Sequence, residues 1–485
     1  MIDTRVSSHH RDLIRMEKNP SYVPDLLFIK LPPQIAEGLF PVDPHGKTSL
    51  DLSNWRLAGY LFHEWIHYVH NVSTLNGLYA FASMINMWAN FRHKLDGLGQ
   101  SVDANVLNDY AASSVKRTHL YRKEAARYER NMFSVLRKTS DYVTIVSVKE
   151  LTQSLPEQVP GHEAERVSVI SCEAENPIDQ TLVTFEVGTV EILEGIAFML
   201  EEKLLMANGE LPSDIKTAPY KLLQSLARHL VHDIENDQII AIAIAALQTD
   251  DPPLNLVRTL RKMLDVAVDT RMAWLEGRAK AYLKAYEKVV DDTIDKTAAL
   301  FPLSEPMGDA VKDLLRIISS KIALRMQAPF FELLMLKQIK DEEKDVRADL
   351  LGRIIAEFTC PRILVMSSSN DKTIAKDLIC NWGSPFVTQE ALFGSQKLHA
   401  ALHYLLLHLS DDGFFATDKI TASEERKRCP FYTACDYPLR HDQPDLCAHR
   451  PWESLAIQTD PRFACWYRAG VRATRPYEFD DFHPS

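Results

Sequence analysis

The sequence lacks long apolar runs and a recognisable secretion signal. Its most apolar stretch, Ile239 to Leu247, has about half the length that a membrane-spanning helix requires. The first residues, Met1-Ile2-Asp3-Thr4-Arg5, are not followed by the apolar core of a signal peptide. We therefore expect neither a membrane protein nor a secreted one.

An excess of positive charge is also missing. The 485-residue chain carries 55 Lys and Arg against 66 Asp and Glu, which gives a formal net charge of -11 at pH 7. Nucleic-acid-binding surfaces need clustered Lys and Arg. The short run Arg426-Lys427-Arg428 follows two glutamates that dilute its field, and we interpret it as a solvated loop. A nucleic-acid partner is therefore not expected.

The cysteine content does not suggest a disulfide framework. Seven cysteines form an odd number and occur without a secretory context, which is typical of a reducing compartment. We predict a cytoplasmic protein. The sequence also shows no internal repeat, no low-complexity tract and no cofactor fingerprint, so the indications of function come from short motifs.

The most informative motif is HExxH, formed by His63, Glu64 and His67. Two histidines four residues apart on a helix face the same way, so that both can bind one zinc ion. The glutamate between them is then placed to take a proton from a water molecule at the metal. The motif therefore predicts a metal, a base and a hydrolytic reaction.

The surrounding residues predict a largely buried helix. Asp51 and Ser53 are suitable helix caps, and Gly77 offers a helix end. Burial of a His, Glu, His trio is costly unless something binds or pairs it, which favours a metal over histidines that merely form hydrogen bonds in a core. His70 lies on the same helical face, where it is a third ligand or, as we favour, a supporting core residue.

A catalytic zinc ion usually has three protein ligands, so a further ligand is required. The metzincin continuation HExxHxxGxxH is excluded, because His70 stands at its glycine position and Ser73 at its final histidine position. Further along, the predicted helix from Glu191 to Glu202 contains Glu194-Gly195-Ile196-Ala197. This stretch resembles the E-G-x-A sequence that carries a glutamate ligand in several gluzincin peptidases.

Together the two segments resemble the zincin-like metallopeptidases of gluzincin type. The resemblance implies that His63, His67 and Glu194 bind a catalytic zinc ion while Glu64 acts as the base in peptide-bond hydrolysis of a protein substrate. Alternatively, Glu194 belongs to an ordinary solvated helix face. The competing ligands are Glu191, Glu201 and Glu202.

The same resemblance implies a side chain that stabilises the oxyanion. Related peptidases recruit a Tyr or a His downstream of the glutamate helix. Three residues occur in the corresponding region: Tyr220, His229 and His232. The sequence does not choose among them.

The predicted fold is mainly α (α+β), with a zincin-like catalytic core over residues 1–250, a helical domain over 251–410 and a Cys-rich tail over 411–485. Leu26 to Leu31 reads as a strand closed by prolines. Three further strands are predicted to form a small antiparallel sheet: Tyr142 to Val148, Arg166 to Cys172 and Leu182 to Val187. This sheet either binds an extended substrate at its edge or is an insertion hairpin. The predicted helices beyond the motif helix are Leu120 to Leu136, Thr217 to Val231, Glu235 to Leu247, Leu254 to Val289, Met307 to Met326, Phe330 to Lys340 and Val346 to Phe358.

Four of the cysteines, Cys429, Cys435, Cys447 and Cys465, fall in the tail with the spacing C-x5-C-x11-C-x17-C. Four thiolates can hold a structural zinc ion or an iron–sulfur cluster and so staple a region with little regular structure. His441 and His449 are additional candidate ligands. The alternative is four separately buried thiols.

Three classes of function are therefore compared. The leading interpretation is a cytoplasmic zinc endopeptidase that acts on a protein substrate and, given the large helical region, on one specific partner. The second is a catalytically silent metal-binding scaffold. The third is a nucleic-acid-associated protein that uses the Cys-rich tail.

Overall fold

The computed structural model describes residues 20–23, 27–41, 49–92, 143–154, 166–175, 180–211, 219–301, 306–365, 378–380, 384, 388–408, 420–432, 434–435, 437–456 and 465–474. The helix predicted from Leu120 to Leu136 lies outside these residues.

The described residues form seven strands and fifteen α-helices. The strands are β1 (Ser21–Val23), β2 (Phe28–Leu31), β3 (Thr144–Ser154), β4 (Arg166–Glu175), β5 (Leu182–Val187), β6 (Arg362–Val365) and β7 (Leu378–Cys380). The helices are α1 (Pro33–Leu39), α2 (Trp55–Ser73), α3 (Leu75–Arg92), α4 (Thr189–Ala207), α5 (Leu222–Leu230), α6 (Asn236–Ala246), α7 (Pro252–Met263), α8 (Arg271–Ala298), α9 (Pro306–Gln327), α10 (Phe331–Asp341), α11 (Arg347–Phe358), α12 (Gln389–Leu406), α13 (Pro438–Asp442), α14 (Pro444–His449) and α15 (Trp466–Thr474).

The predicted antiparallel sheet is present, in the order β3-β4-β5. Its last strand leads through Gly188 directly into α4. The mainly helical fold with a small antiparallel sheet is thus confirmed.

A second sheet was not predicted beyond its strand β2. It has the order β1-β2-β6-β7 and is mixed, because β2 pairs in parallel with β6 while the outer strands pair antiparallel. Strands β6 and β7 have four and three residues, too few for alternation to be recognised in the sequence. They become strands through pairing: β6 pairs with β2, whose residues Ile29 and Leu31 are fully buried, and β7 pairs with β6.

The motif helix α2 begins and ends differently from the prediction. The Asn54 side chain, not that of Asp51 or Ser53, accepts the helical N–H of Leu57 at 3.3 Å. The helix ends at Ser73, and α3 follows at once. The predicted end at Gly77 is wrong.

The glycine at position 77 is explained by close packing and not by a helix end. It lies inside α3, and its N–H donates to the Thr74 hydroxyl at 3.1 Å. A Cβ atom at this position would lie 2.0 Å from the backbone oxygen of Asn71. Glycine therefore allows the start of α3 to pass close to the end of α2.

Helix α2 lies at the centre of the described fold. It packs against α3, α4, α9 and the edge strand β1. Trp65 is fully buried and its indole N–H donates to the Thr359 carbonyl oxygen at 3.0 Å, while the Tyr68 hydroxyl bonds to the Thr359 hydroxyl at 2.8 Å. These contacts fix the rotation of the helix, and with it the direction of the motif side chains.

The single helix predicted from Leu254 to Val289 is also wrong. The chain forms α7, then a short 3₁₀ turn over Val268–Thr270, and then α8. At this turn the buried Arg271 side chain donates to the Val266 carbonyl oxygen at 3.3 Å and to Asp233 at 3.0 Å. These tertiary contacts break a stretch whose apolar periodicity is compatible with one long helix.

The buried apolar residues form a continuous core that includes residues from each of the three predicted domains, between Ile29 and Val471. The domain boundaries themselves stay a prediction. Within the described part of the chain, no helix has both the length and the apolar character that membrane crossing requires.

Candidate metal centre

The three motif side chains lie in a mostly buried position on α2. His63 is 7% exposed and Glu64 is 9% exposed, while His67 is half-buried. The rings of His63 and His67 have centroids 4.9 Å apart. The i, i+4 spacing therefore places both imidazoles at one location, as the sequence predicts.

Glu194 reaches the same location from α4, which packs along α2. Its Oε2 atom lies 3.3 Å from His63 Nε2 and 3.4 Å from His67 Nε2. One ligand atom from each of the three residues lies within 4.8 Å of the other two, so that the group can hold one metal ion. Two imidazole nitrogens and one carboxylate oxygen form a donor set that zinc accepts.

The small residues near this centre act at two different interfaces. Gly59 of α2 faces α4, where an added Cβ would lie 3.2 Å from Leu205 Cδ2. Gly195 instead faces α5, where an added Cβ would lie 2.5 Å from Leu223 Cβ. Gly59, and not Gly195, therefore lies at the contact between the two helices that carry the candidate ligands.

Glu201, one of the competing ligands, has a different position. Its Oε2 atom lies 3.0 Å from His63 Nδ1, on the side of the ring opposite Glu194, and the residue is 3% exposed. A carboxylate there accepts the Nδ1 proton, which leaves Nε2 free to bind a metal. Glu201 therefore orients His63.

The other two competing glutamates lie elsewhere in α4. The Glu191 carboxylate accepts the N–H of Gly188 at 2.7 Å and thus caps the start of the helix. Glu202 is partly buried, which raises its pKa, and it lies in the field of Lys221 and Arg228. Neither belongs to the group of three ligand atoms.

Glu64 lies beside this group without belonging to it. Burial raises the pKa of its carboxyl group, although His63 and His67 oppose the rise. The backbone N–H of Tyr22, in the edge strand β1, donates to the carboxylate. This contact could not be predicted from the sequence, because β1 is only three residues long and distant from Glu64 in the chain.

The centre has an excess of negative charge. Burial alone would raise the pKa of Glu194, but His67 and His63 hold it well below its usual range. Burial alone would likewise lower the pKa of His63, but Glu194 and Glu201 raise it well above the usual value. In the described residues, no Lys or Arg lies within ion-pair distance of these carboxylates. Such a centre favours a bound cation.

Of the three predicted oxyanion-stabilising residues, Tyr220 contacts the centre. Its ring centroid lies 5.8 Å from that of His63 and 6.0 Å from that of Phe198. His229 is half-buried in the last turn of α5, and His232 is exposed after it. Neither histidine forms a ring contact with the motif residues among the contacts observed in the described chain.

His70 lies two turns after His63 on α2 and belongs to a second buried cluster. Its Nε2 atom lies 3.3 Å from Glu332 Oε1, and both side chains are fully buried. Arg325 donates to both carboxylate oxygens of Glu332, at 2.6 and 3.2 Å, and to the carbonyl oxygen and hydroxyl of Ser73. His70 is therefore a supporting core residue, as favoured from the sequence.

The four tail cysteines come together around one cavity. Cys429, Cys435, Cys447 and Cys465 all line it, with aromatic side chains around them. Among the described cysteines, no three sulfur atoms lie within 4.8 Å of one another. His441 and His449 are exposed and do not line the cavity. The four cysteines thus line a common cavity, while metal binding by them stays a prediction.

Comparison of this chain with protein-family models, with curated proteins and with solved structures finds no match.

Proposed function

We propose that this chain is a zinc-dependent metallopeptidase of gluzincin type that hydrolyses peptide bonds in a protein substrate. The observation that carries the proposal is the meeting of His63, His67 and Glu194, whose ligand atoms all lie within 4.8 Å of one another. Glu64 lies between the two histidines in the chain and is not one of the three ligand residues. This combination has the ligands and the base that zinc-dependent hydrolysis requires.

The division of roles follows from the positions of the side chains. When bound, a zinc ion supplies a Lewis acid that lowers the pKa of water and polarises a carbonyl group. Glu64 accepts the proton of the attacking water and later passes it to the leaving amine. The Tyr22 N–H fixes the Glu64 carboxylate, and Glu201 fixes the His63 ring. Both fixed orientations reduce the reorganisation that the reaction requires.

Two further elements complete the proposed site. Tyr220 is the oxyanion-stabilising residue that we favour, because its ring packs on His63 while His232 is exposed. The substrate-binding edge that we favour is β1, not the edge of the β3-β4-β5 sheet, because β1 is the outer strand of the mixed sheet and contacts both α2 and Glu64. An extended peptide can pair with such an edge through its backbone. The odd number of cysteines supports a cytoplasmic location as part of the same proposal.

Metal content tests the proposed centre. We expect about one zinc atom per chain bound at this centre, and its loss from His63→Ala and from Glu194→Gln. Glu202→Gln is the matched control, because it makes the same substitution in the same helix outside the ligand group. Zinc retention by both ligand variants would show that the metal lies elsewhere.

Cleavage of a pool of quenched fluorescent peptides tests the reaction. Glu64→Gln should retain zinc and lower the cleavage rate by roughly 100-fold to 10,000-fold, the range for loss of a general base. An equal rate in Glu64→Gln would rule out this role. A wild-type protein that binds zinc at His63 but cleaves no peptide would favour the silent metal-binding alternative.

A further inference from the structure

The described part of the Cys-rich tail consists largely of short helices, and its four cysteines converge from separate segments. Cys435 precedes α13, Cys447 lies in α14, and Cys465 precedes α15. The Cys429 N–H donates to the Cys447 carbonyl oxygen at 3.0 Å. Segments that are distant in sequence therefore meet at one point, where the sulfurs line a common cavity.

The distances between the sulfurs argue against one zinc ion. Four thiolates at about 2.3 Å from a tetrahedral zinc lie roughly 3.8 Å from one another. In the described tail, no three of the sulfurs lie even within 4.8 Å of one another. An iron–sulfur cluster distributes its cysteines over several iron atoms, and so it accommodates a wider set of sulfurs.

Backbone N–H groups point at the sulfurs in a repeated pattern. The N–H of Tyr437 donates to Cys435 Sγ at 3.4 Å. The N–H groups of Phe431 and Tyr467 likewise donate to Cys429 and Cys465, in each case from two residues after the cysteine, and the N–H of Arg468 also donates to Cys465. Hydrogen bonds to the ligating sulfurs are a means by which proteins tune iron–sulfur clusters.

The surroundings of the cavity also suit a cluster. Its lining includes the aromatic residues Phe431, Tyr432, Tyr437, Trp466 and Tyr467. The Arg440 guanidinium donates to the Cys435 carbonyl oxygen at 2.8 Å and lies over the ring of Tyr432. A shell of low polarity with positive charge nearby is compatible with a buried anionic cluster.

The tail is attached to the rest of the fold through α12. The Tyr467 hydroxyl bonds to His403 Nδ1 at 3.0 Å, and the ring of Phe431 packs on that of His399. Gly470 lies so close to α12 that an added Cβ would meet Ala400 Cβ at 2.5 Å. Two of these contacts come from residues that also line the cavity, so that holding the cysteines together also fixes the tail on α12.

We propose that Cys429, Cys435, Cys447 and Cys465 ligate an iron–sulfur cluster that fixes the tail against α12. This site is independent of the metal centre on α2, since the two share no residue.

Iron and acid-labile sulfide test the proposal directly. The full chain is purified without oxygen and, in parallel, reconstituted with ferrous iron and sulfide. We expect equal amounts of iron and sulfide, about two or four of each per chain, together with visible absorption that dithionite bleaches. Absence of sulfide from the reconstituted protein would overturn the proposal. So would one zinc atom in the tail that Cys447→Ser releases.

Variants separate the two metal sites and control for folding. Cys447→Ser should lose iron and sulfide, whereas Cys172→Ser, a buried cysteine in β4, should retain both. His63→Ala should retain iron and sulfide as well. Far-UV circular dichroism monitors the fold of each variant. Sulfide retention in Cys447→Ser at the wild-type level would contradict ligation by this residue.

A substitution of the backbone donor gives a test that does not remove a ligand. Tyr437 has φ -65, which proline adopts without strain. Tyr437→Pro removes the N–H that donates to Cys435, whereas Tyr437→Ala removes the ring but keeps the N–H. We expect a lower reduction potential in Tyr437→Pro than in Tyr437→Ala, because the hydrogen bond stabilises the more negative reduced cluster. Equal potentials, or no reducible centre in either variant, would count against the proposed site.

Discussion

Helix α2 carries two buried clusters of histidine and glutamate that differ in their source of positive charge. In the first cluster, His63 and His67 meet Glu194, with Glu201 behind His63. In the second, His70 meets Glu332, and Arg325 binds both oxygens of that carboxylate. The chain thus supplies a cation to the second cluster.

The difference indicates which cluster needs an external ligand. Buried carboxylates are costly unless they are paired. In the His70 cluster, burial alone would raise the pKa of Glu332, but Arg325 and His70 hold it at about 2. In the His63 cluster, the described residues include no comparable Lys or Arg, and the partners of the carboxylates are histidines and a backbone N–H. A metal ion at His63 would have the role that Arg325 has at His70.

The largest effect is expected from Glu332→Gln. This substitution leaves Arg325 buried without its counter-charge, which should reduce the free energy of unfolding by about 3–5 kcal/mol. Urea unfolding followed by circular dichroism measures this change. Glu343→Gln, an exposed residue just after α10, should change stability by less than about 0.5 kcal/mol. A similar loss in both variants would show that the Arg325 pair is not special.

The dependence of stability on pH also tests the Arg325 and Glu332 pair. Because the pKa of Glu332 is lowered to about 2 from an ordinary 4.5, its contribution is complete above pH 4.5 and is lost as the pH falls toward 2. The loss is on the order of 3 kcal/mol. Unfolding measured between pH 6 and pH 2 should therefore show a steeper decline for wild type than for Glu332→Gln. Parallel curves for the two proteins would contradict the assignment of this acid sensitivity to Glu332.

A smaller effect is expected from Glu201→Gln in the proposed metal cluster. Glu201 touches His63 Nδ1 and not the ligand atoms, so its neutral replacement should weaken zinc binding by about 10-fold to 100-fold. Competition with a chelator measures the affinity. Without metal, the variant should unfold at nearly the same temperature as the metal-free wild-type protein. Glu202→Gln should retain wild-type affinity, and an equal loss in that control would remove the special role of Glu201.

The smallest effect is expected from the double substitution Arg325→Met with Glu332→Leu. Removal of both charges leaves neither one unpaired, so stability should recover to within about 1–2 kcal/mol of wild type. The comparison with Glu332→Gln alone is made by urea unfolding. A double variant as unstable as the single one would show that the network contributes through more than charge pairing.

The sequence predicts some residues of the candidate metal centre better than others. The positions of His63, Glu64 and His67 relative to one another follow from the helical repeat, which is local. Glu194 was predicted through a resemblance, and its meeting with both histidines depends on how α4 packs against α2. Glu201 lies two turns after Glu194 on the same helix, a spacing that could have indicated a shared face.

Other parts of the fold and of the site could not have been predicted from local patterns. The Arg325 and Glu332 pair belongs to two later helices, and nothing local connects it to His70. The Tyr22 N–H reaches Glu64 from a strand of three residues. The break before Arg271 has a tertiary cause, because the contacts of that buried side chain override the apolar periodicity.

Short-range spacing along the chain is enough to specify the motif helix, the small antiparallel sheet and the chemical groups available. Tertiary packing selects which glutamate meets the histidines, which one caps a helix, and which one Arg325 neutralises. It also decided that four scattered tail cysteines become neighbours. Long-range packing makes these choices, since the glutamates of α4 and α10 are chemically equivalent until neighbouring helices give each of them a different environment.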